Sequence, residues 1–157
     1  MKLVSIDSGL ERTGYAIFEK IHKPVYIASG LIKTSSKASV PTRLKQIYDE
    51  LSVIVDTHKP TQIIVEQLFM YTNKKTVIVV AQTQGVVQLL AAQKSIPLDF
   101  LTPLQIKQMV TGYGGADKKS VKKMVKLNGI DVDGKIDDEV DAIASGLAYC
   151  FLNKNLL

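Results

Sequence analysis

Four carboxylates stand where ordinary folding gives a charge little to do. Asp7 ends the apolar run "KLVSI" of residues 2–6, Glu66 ends "TQIIV" of residues 61–65, and Asp138 and Asp141 fall three residues apart in "DDEVD" at 137–141. An unpaired charge at the tip of a buried strand loses hydration that it must recover elsewhere. Carboxylates gathered from distant parts of a chain also repel one another and are driven toward protonation unless a cation compensates. Oxygen ligands without His or Cys select magnesium or manganese over zinc. Two such ions, roughly 3.5–4 Å apart, activate water on one side of a phosphoryl group and stabilise the leaving oxygen on the other. The chemistry implied is hydrolysis of a phosphodiester.

Each acid has a plainer reading. Asp7 followed by Ser8 and Gly9 is ordinary turn chemistry, Glu66 is a solvated strand end, and acids in a first helical turn favour the helix dipole. The conjunction of all four outweighs these. Helical spacing does leave one choice open, because Asp137 lies four residues before Asp141 and Asp138 three.

The cations support an anionic substrate. Twenty Lys and Arg against fifteen Asp and Glu give a net charge of +5, which favours an acidic partner such as nucleic acid. Six lysines fall within "DKKSVKKMVK" (117–126) and "GKI" (134–136), immediately before the acids of 137–141. Basic and acidic groups side by side suit a site that attracts phosphates and holds a cation.

These residues need elements to position them. Residues 2–7, "RTGYAIFEK" and "PVYIASGLIKT" read as three strands of a meander, with "HKP" at 22–24 as a turn. Leu44, Ile47, Tyr48, Leu51, Ile54 and Val55 recur at helical spacing, so 41–58 is an amphipathic helix. "TQIIVEQ" at 61–67 is a strand covered on both faces. Residues 74–95 mix strand propensity in "TVIVVA" with a helix's length and alanines, and are assigned to a helix. "IPLDFLT" is a fifth strand, and Thr102, Pro103 and Gln105 open the next helix with a capping box. A further helix runs from Asp117 to Leu127, stopped by Asn128 and Gly129. The last, 137–152, buries Val140, Ile143, Ala144, Leu147, Ala148 and Phe151. The order predicts an α/β fold with one five-stranded mixed sheet flanked by helices, in a single domain over residues 1–157. If the first and fourth strands are adjacent and parallel, Asp7 and Glu66 emerge at one carboxyl edge, where open α/β sheets collect their ligands.

Other classes are disfavoured. A lone Cys150 cannot form an intramolecular disulfide, the N-terminus lacks signal-peptide features, and no apolar run approaches the roughly 20 residues that span a bilayer. A soluble protein of the cytoplasm is expected.

The segments "IDSGLERTGYAI", "PTRLKQIYDEL", "VEQLFM", "TPLQIKQMVTGYGGADKKSVKKMV" and "DDEVDAIA" occur in an order and spacing that resemble the RuvC family of Holliday junction resolvases, across essentially the whole chain. The resemblance implies the RNase H-like fold and a structure-specific endonuclease that nicks two strands of a four-way or otherwise branched DNA symmetrically, in recombination and repair. It implies Asp7, Glu66, Asp138 and Asp141 as the metal-binding acids, which selects Asp138 over Asp137, and two magnesium ions per site with manganese able to substitute. Phe69 matches an aromatic that enters the junction and stacks on a base. Lys107 and Lys118 match phosphate-handling residues, and Lys119 and Lys122 extend that basic surface. A homodimer is implied, for which the helix at 74–95 is the candidate seam, acting in a bacterial cytoplasm or, if phage-encoded, in that of the host. Ser8 stands where the family usually has Pro, which alters turn stiffness and removes no ligand. The end at "FLNKNLL", without the longer tail of many relatives, counts against a branch-migration motor as partner.

Three other readings compete. A non-catalytic junction-binding module would not need all four acids, a ribosomal-RNA-processing nuclease of the same superfamily fits "VEQLFM" less well, and a sugar-kinase-like phosphotransferase needs a second domain.

Overall fold

The computed structural model describes residues 1–68 and 74–152, excluding the side chains of 74–76. The meander is formed by β1 (Lys2–Ser8), β2 (Arg12–Lys20) and β3 (Pro24–Lys33), each antiparallel to the next. A crossover through α1 (Val40–His58) returns the chain to β4 (Gln62–Glu66), parallel to β1, and a second through α2 (Lys74–Gln93) brings β5 (Leu98–Leu101) parallel to β4. Strand order is β3-β2-β1-β4-β5, the five-stranded mixed sheet that the sequence predicts. The chain then continues as α3 (Pro103–Thr111), α4 (Lys118–Leu127) and α5 (Asp137–Leu152).

The two-residue strand period divides the core into two layers. Val4, Ile6, Ile17, Ile63 and Val65 point under α1 and α2, whereas Leu3, Ala16, Phe18 and Ile64 point under α3, α4 and α5. The continuous apolar run of β4 reflects burial on both faces.

Three helix starts follow the chemistry of their caps. The side chain of Ser39 accepts from the Thr42 amide, so α1 begins at Val40, one residue before the expected start. Thr102 and Gln105 make the reciprocal capping box at 3.1 and 2.9 Å. Asp117 lies outside α4 and caps it, accepting from the Ser120 amide at 2.8 Å. α2 is helical throughout its "TVIVVA" segment and ends at Gln93, ahead of Ser95 in the left-handed region with φ 53°. β4 and β5 are each trimmed by one or two residues at both ends relative to the sequence reading.

α5 is the central helix of its layer. Besides the expected stripe, Ala142, Ser145, Gly146 and Cys150 are buried, while Phe151 is only half-buried. Two glycines let it press onto the sheet. A Cβ at Gly146 would meet Ser5 Oγ and the Phe18 ring at 2.6 Å, and Ser5 Oγ donates to the Ala142 carbonyl at 2.7 Å. A Cβ at Gly14 would lie 2.0 Å from the Asp138 carbonyl oxygen. Gly14 pairs with Asp7 in the β1–β2 ladder, so this contact seats the start of α5 beside the strand that carries Asp7.

The clash at Gly14 is with backbone, which cannot rotate away. Gly14→Ala should therefore destabilise the fold by about 1–3 kcal/mol, read from the urea midpoint, because the start of α5 must lift from β2.

Candidate active site

Asp7 and Glu66 occupy corresponding places on neighbouring parallel strands. The register pairs Leu3 with Gln62 and Ile6 with Val65, and one further step brings Asp7 beside Glu66. Both belong to the strand positions that face α5, alternating with Ile6 and Val65, which point under α1 and α2. The end of β4 is held by two bonds: the Gln84 side-chain amide on α2 donates to the Glu66 carbonyl at 2.8 Å, and the Gln67 amide donates to the Leu101 carbonyl at 2.8 Å.

α5 brings the remaining acids over this edge. Burial pushes the Asp7 carboxyl up to about 8, reinforced by repulsion from Glu66, Asp141 and Asp138 and opposed by Lys118. Burial pushes Glu66 up to about 7, with Asp141 adding to the rise and Lys118 and Lys107 opposing it. Asp141 is raised as well, by burial first and by Asp137 and Asp138, against the hydrogen bond and charge of Lys118. Asp7 thus feels all three partner acids that the sequence selected. Asp137, with its side chain 79% exposed, lies 3.7 Å from Lys118 Nζ and adds to the charge that raises Asp141.

Lys118 and Arg12 pair directly with acids of α5. Lys118 Nζ donates to Asp141 Oδ2 at 3.0 Å. Although partial burial disfavours its charge, this bond and the surrounding carboxylates hold the ammonium pKa above its ordinary value. Arg12 Nε lies 3.0 Å from Asp138 Oδ2. A cleft of about 200 Å³ opens beside Glu66 and Asp141, walled by Pro103, Ile106, Lys107 and Lys118. Lys119 and Lys122 line a separate shallow depression with Lys118, Asp137 and Asp141, so both lie next to the acids without entering the cleft. Phe69 lies outside the described residues.

The donor set fits a hard divalent cation. Its ligands are oxygen only, and three of the four carboxyls are held toward the neutral form by burial and one another, a state that a cation reverses. Among the described residues no three of them converge closely enough to ligate one ion as they stand. Asp138 turns to Arg12 and Asp141 to Lys118 instead.

Sequence reasoning missed Arg12, Ser5, Gly14 and Gly146, the residues that seat or neutralise the acidic end of α5. Gly14 did carry a signal, since a glycine inside a β-branched and aromatic strand marks a close backbone approach.

The model of the family described as "Crossover junction endodeoxyribonuclease RuvC" matches residues 3–150. A protein of that name from Syntrophomonas wolfei is 42% identical over 155 residues, covering 98% of this chain and 89% of the relative. One from Thermosipho melanesiensis is 40% identical over 152 residues, covering 96% of each. Among solved structures, T. thermophilus RuvC in complex with a Holliday junction substrate superposes with a TM-score of 0.90 at 24% identity, covering 98% of this chain and 95% of that one. Fowlpox virus resolvase bound to Holliday junction DNA gives 0.60 at 16% identity, covering 96% of this chain and 97% of that one. The fold they share is the RNase H-like sheet with helices on both faces, and by the extent of its sequence match the chain belongs to the crossover junction endodeoxyribonuclease RuvC family.

Proposed function

We propose that this chain is a divalent-metal-dependent endodeoxyribonuclease that resolves Holliday junctions by symmetric paired nicking, a single domain acting as a homodimer. The observation that supports the reading is the register that sets Asp7 beside Glu66 at the carboxyl ends of adjacent parallel strands, with Asp141 over a lysine-walled cleft and Asp138 on the same helix end. Those four acids would hold two magnesium ions, or manganese in their place, and the bound ions supply water activation and leaving-oxygen stabilisation in an in-line phosphoryl displacement.

The chain's own groups do the rest. Lys107 and Lys118 wall the cleft and would hold the scissile phosphate, Lys118 exchanging its bond to Asp141 for a phosphate oxygen. Lys119 and Lys122 would extend the salt-sensitive, sequence-independent grip on the backbone, and Phe69 would stack on an unpaired base. α2 is the proposed seam between protomers: its Val87, Leu90 and Ala91 enter the core while Ile78 and Leu89 stand 59% and 54% exposed. A C₂ dimer presents two identical sites to a junction of matching symmetry.

Asp7→Asn should retain junction binding and lose cutting by roughly 10³-fold, about 4 kcal/mol of barrier lowering, in a nicking assay with synthetic four-way DNA and magnesium. Undiminished cutting would remove the acids from the chemistry. Ile78→Glu with Leu89→Glu should yield monomers by sedimentation and convert paired cuts into single nicks.

Stability should report the carboxylates independently. Folded-state pKa values near 8 and 7, above 3.8 and 4.5 for the free groups, mean that the folded chain binds protons more tightly than the unfolded one. The stability this contributes is complete below the unfolded values and is lost as pH rises through the folded ones. Without metal, unfolding free energy should drop by several kcal/mol between pH 5 and pH 9, at roughly 1.4 kcal/mol per pH unit for each carboxyl that is still protonated in the folded chain. Magnesium should oppose the drop and Asp7→Asn should flatten it, as followed by thermal denaturation; a slope unchanged in that variant would exclude Asp7 as a titrating group.

A further inference from the structure

Arg12 invites a question that the four acids do not answer. It begins β2, two residues before Gly14 and therefore on the same α5-facing side of the sheet, at the edge that carries Asp7. Its guanidinium touches Asp138 through Nε, with its side chain still 49% exposed, and retains four further N–H donors.

A purely structural role is superfluous there. The start of α5 is already seated by the backbone contact at Gly14 and tied to β3 by the bond from Ser29 Oγ to Glu139 at 2.5 Å, with Lys135 on the same carboxylate at 2.6 Å. An exposed ion pair adds little to such an anchorage.

Arg12 also has company. Lys33 is its direct cross-strand partner in the β2–β3 ladder, and residues opposite one another in a ladder share a face. Lys33 is exposed. Sheet order then sets the layout: β2 and β3 lie on one side of the acid-bearing pair β1 and β4, while β5, which leads into α3 and its Lys107, lies on the other. From Asp138 a depression of about 470 Å³ continues past Arg12 to Arg43.

We propose that Arg12 and Lys33 form a second phosphate-holding pair, gripping the backbone of the cut strand on the flank of the acids opposite Lys107 and Lys118. In the unliganded chain Asp138 is the counter-charge of Arg12. When Asp138 turns to a metal ion, the guanidinium is released to a DNA phosphate beside the scissile one, so that the acid centre is bracketed by cations and the strand is drawn across it. This rests on the four acids being the cutting centre.

The test uses the full chain carrying Arg12→Gln, Lys33→Gln, both, or Arg12→Lys. Binding of a synthetic four-way junction is titrated at several salt concentrations with all four acids intact and calcium, another oxygen-ligated cation, in place of magnesium, and cutting kinetics are measured with magnesium. Each neutralised cation should reduce the slope of log K against log salt by about 0.7–0.9, and the double variant by about twice that, whereas Arg12→Lys should keep the slope. The KM of Arg12→Gln should rise about tenfold with kcat within about threefold, as loss of uniform binding requires. An unchanged slope in Arg12→Gln, or a fall in kcat at constant KM, would overturn the proposal by confining Arg12 to Asp138. Cutting by Asp7→Asn would instead sink the reading of the acids and leave the salt slope measurable.

Discussion

Like charges brought out of water into one place are the condition around which this molecule is arranged. Asp7, Glu66 and Asp141 are each pushed toward protonation by burial first and by mutual repulsion second. The fold tolerates this because hydrophobic burial elsewhere is extensive, with β1, β4 and α5 almost wholly apolar along the stretches behind the acids. Strain at a working site is held by the surrounding structure, not relieved locally.

Close packing converts that tolerance into geometry. Gly14 and Gly146 remove the side chains that would separate α5 from the sheet, and Ser5 fixes the helix with a buried bond to the Ala142 carbonyl. α5 can therefore lie flat on β1 and β2, and its first turn overhangs the strand end that carries Asp7. The same closeness sets Asp138 against Arg12 of β2, while Asp137 and Asp141 face Lys118 of α4. Ser8 shows the opposite situation: its hydroxyl is buried and has no hydrogen-bond partner among the described residues, at a position where the family's usual proline has no hydroxyl to satisfy.

Cations answer the acids from two directions. Lys118 approaches from α4 and takes Asp141, with Asp137 also within 3.7 Å, and Arg12 approaches from β2 and takes Asp138. Such pairs partly neutralise the edge and keep positive charge stationed beside the acids. Under the proposed function, exchange of these partners between carboxylates and phosphates would cost little, since both states present charge-assisted bonds to the same donors.

Much of this was legible in the linear chain. Strand and helix identities, the cap at Thr102 and the candidate acids follow from local periodicity and residue type, because a 2.0 or 3.6 repeat and a capping bond are short-range physics. Element ends shifted by a residue or two where caps and sheet pairing decided them, as at Ser39 and at the trimmed ends of β4 and β5. Helical spacing permits either Asp137 or Asp138, and only the family resemblance points to Asp138. What only the tertiary structure decided is proximity between residues far apart in sequence: the Asp138 carbonyl against Gly14, Ser5 against Ala142, Arg12 beside Asp138, and Lys33 opposite Arg12. Those contacts depend on strand register and on how deeply one helix sinks into a sheet, and both are set by the packing of the whole core.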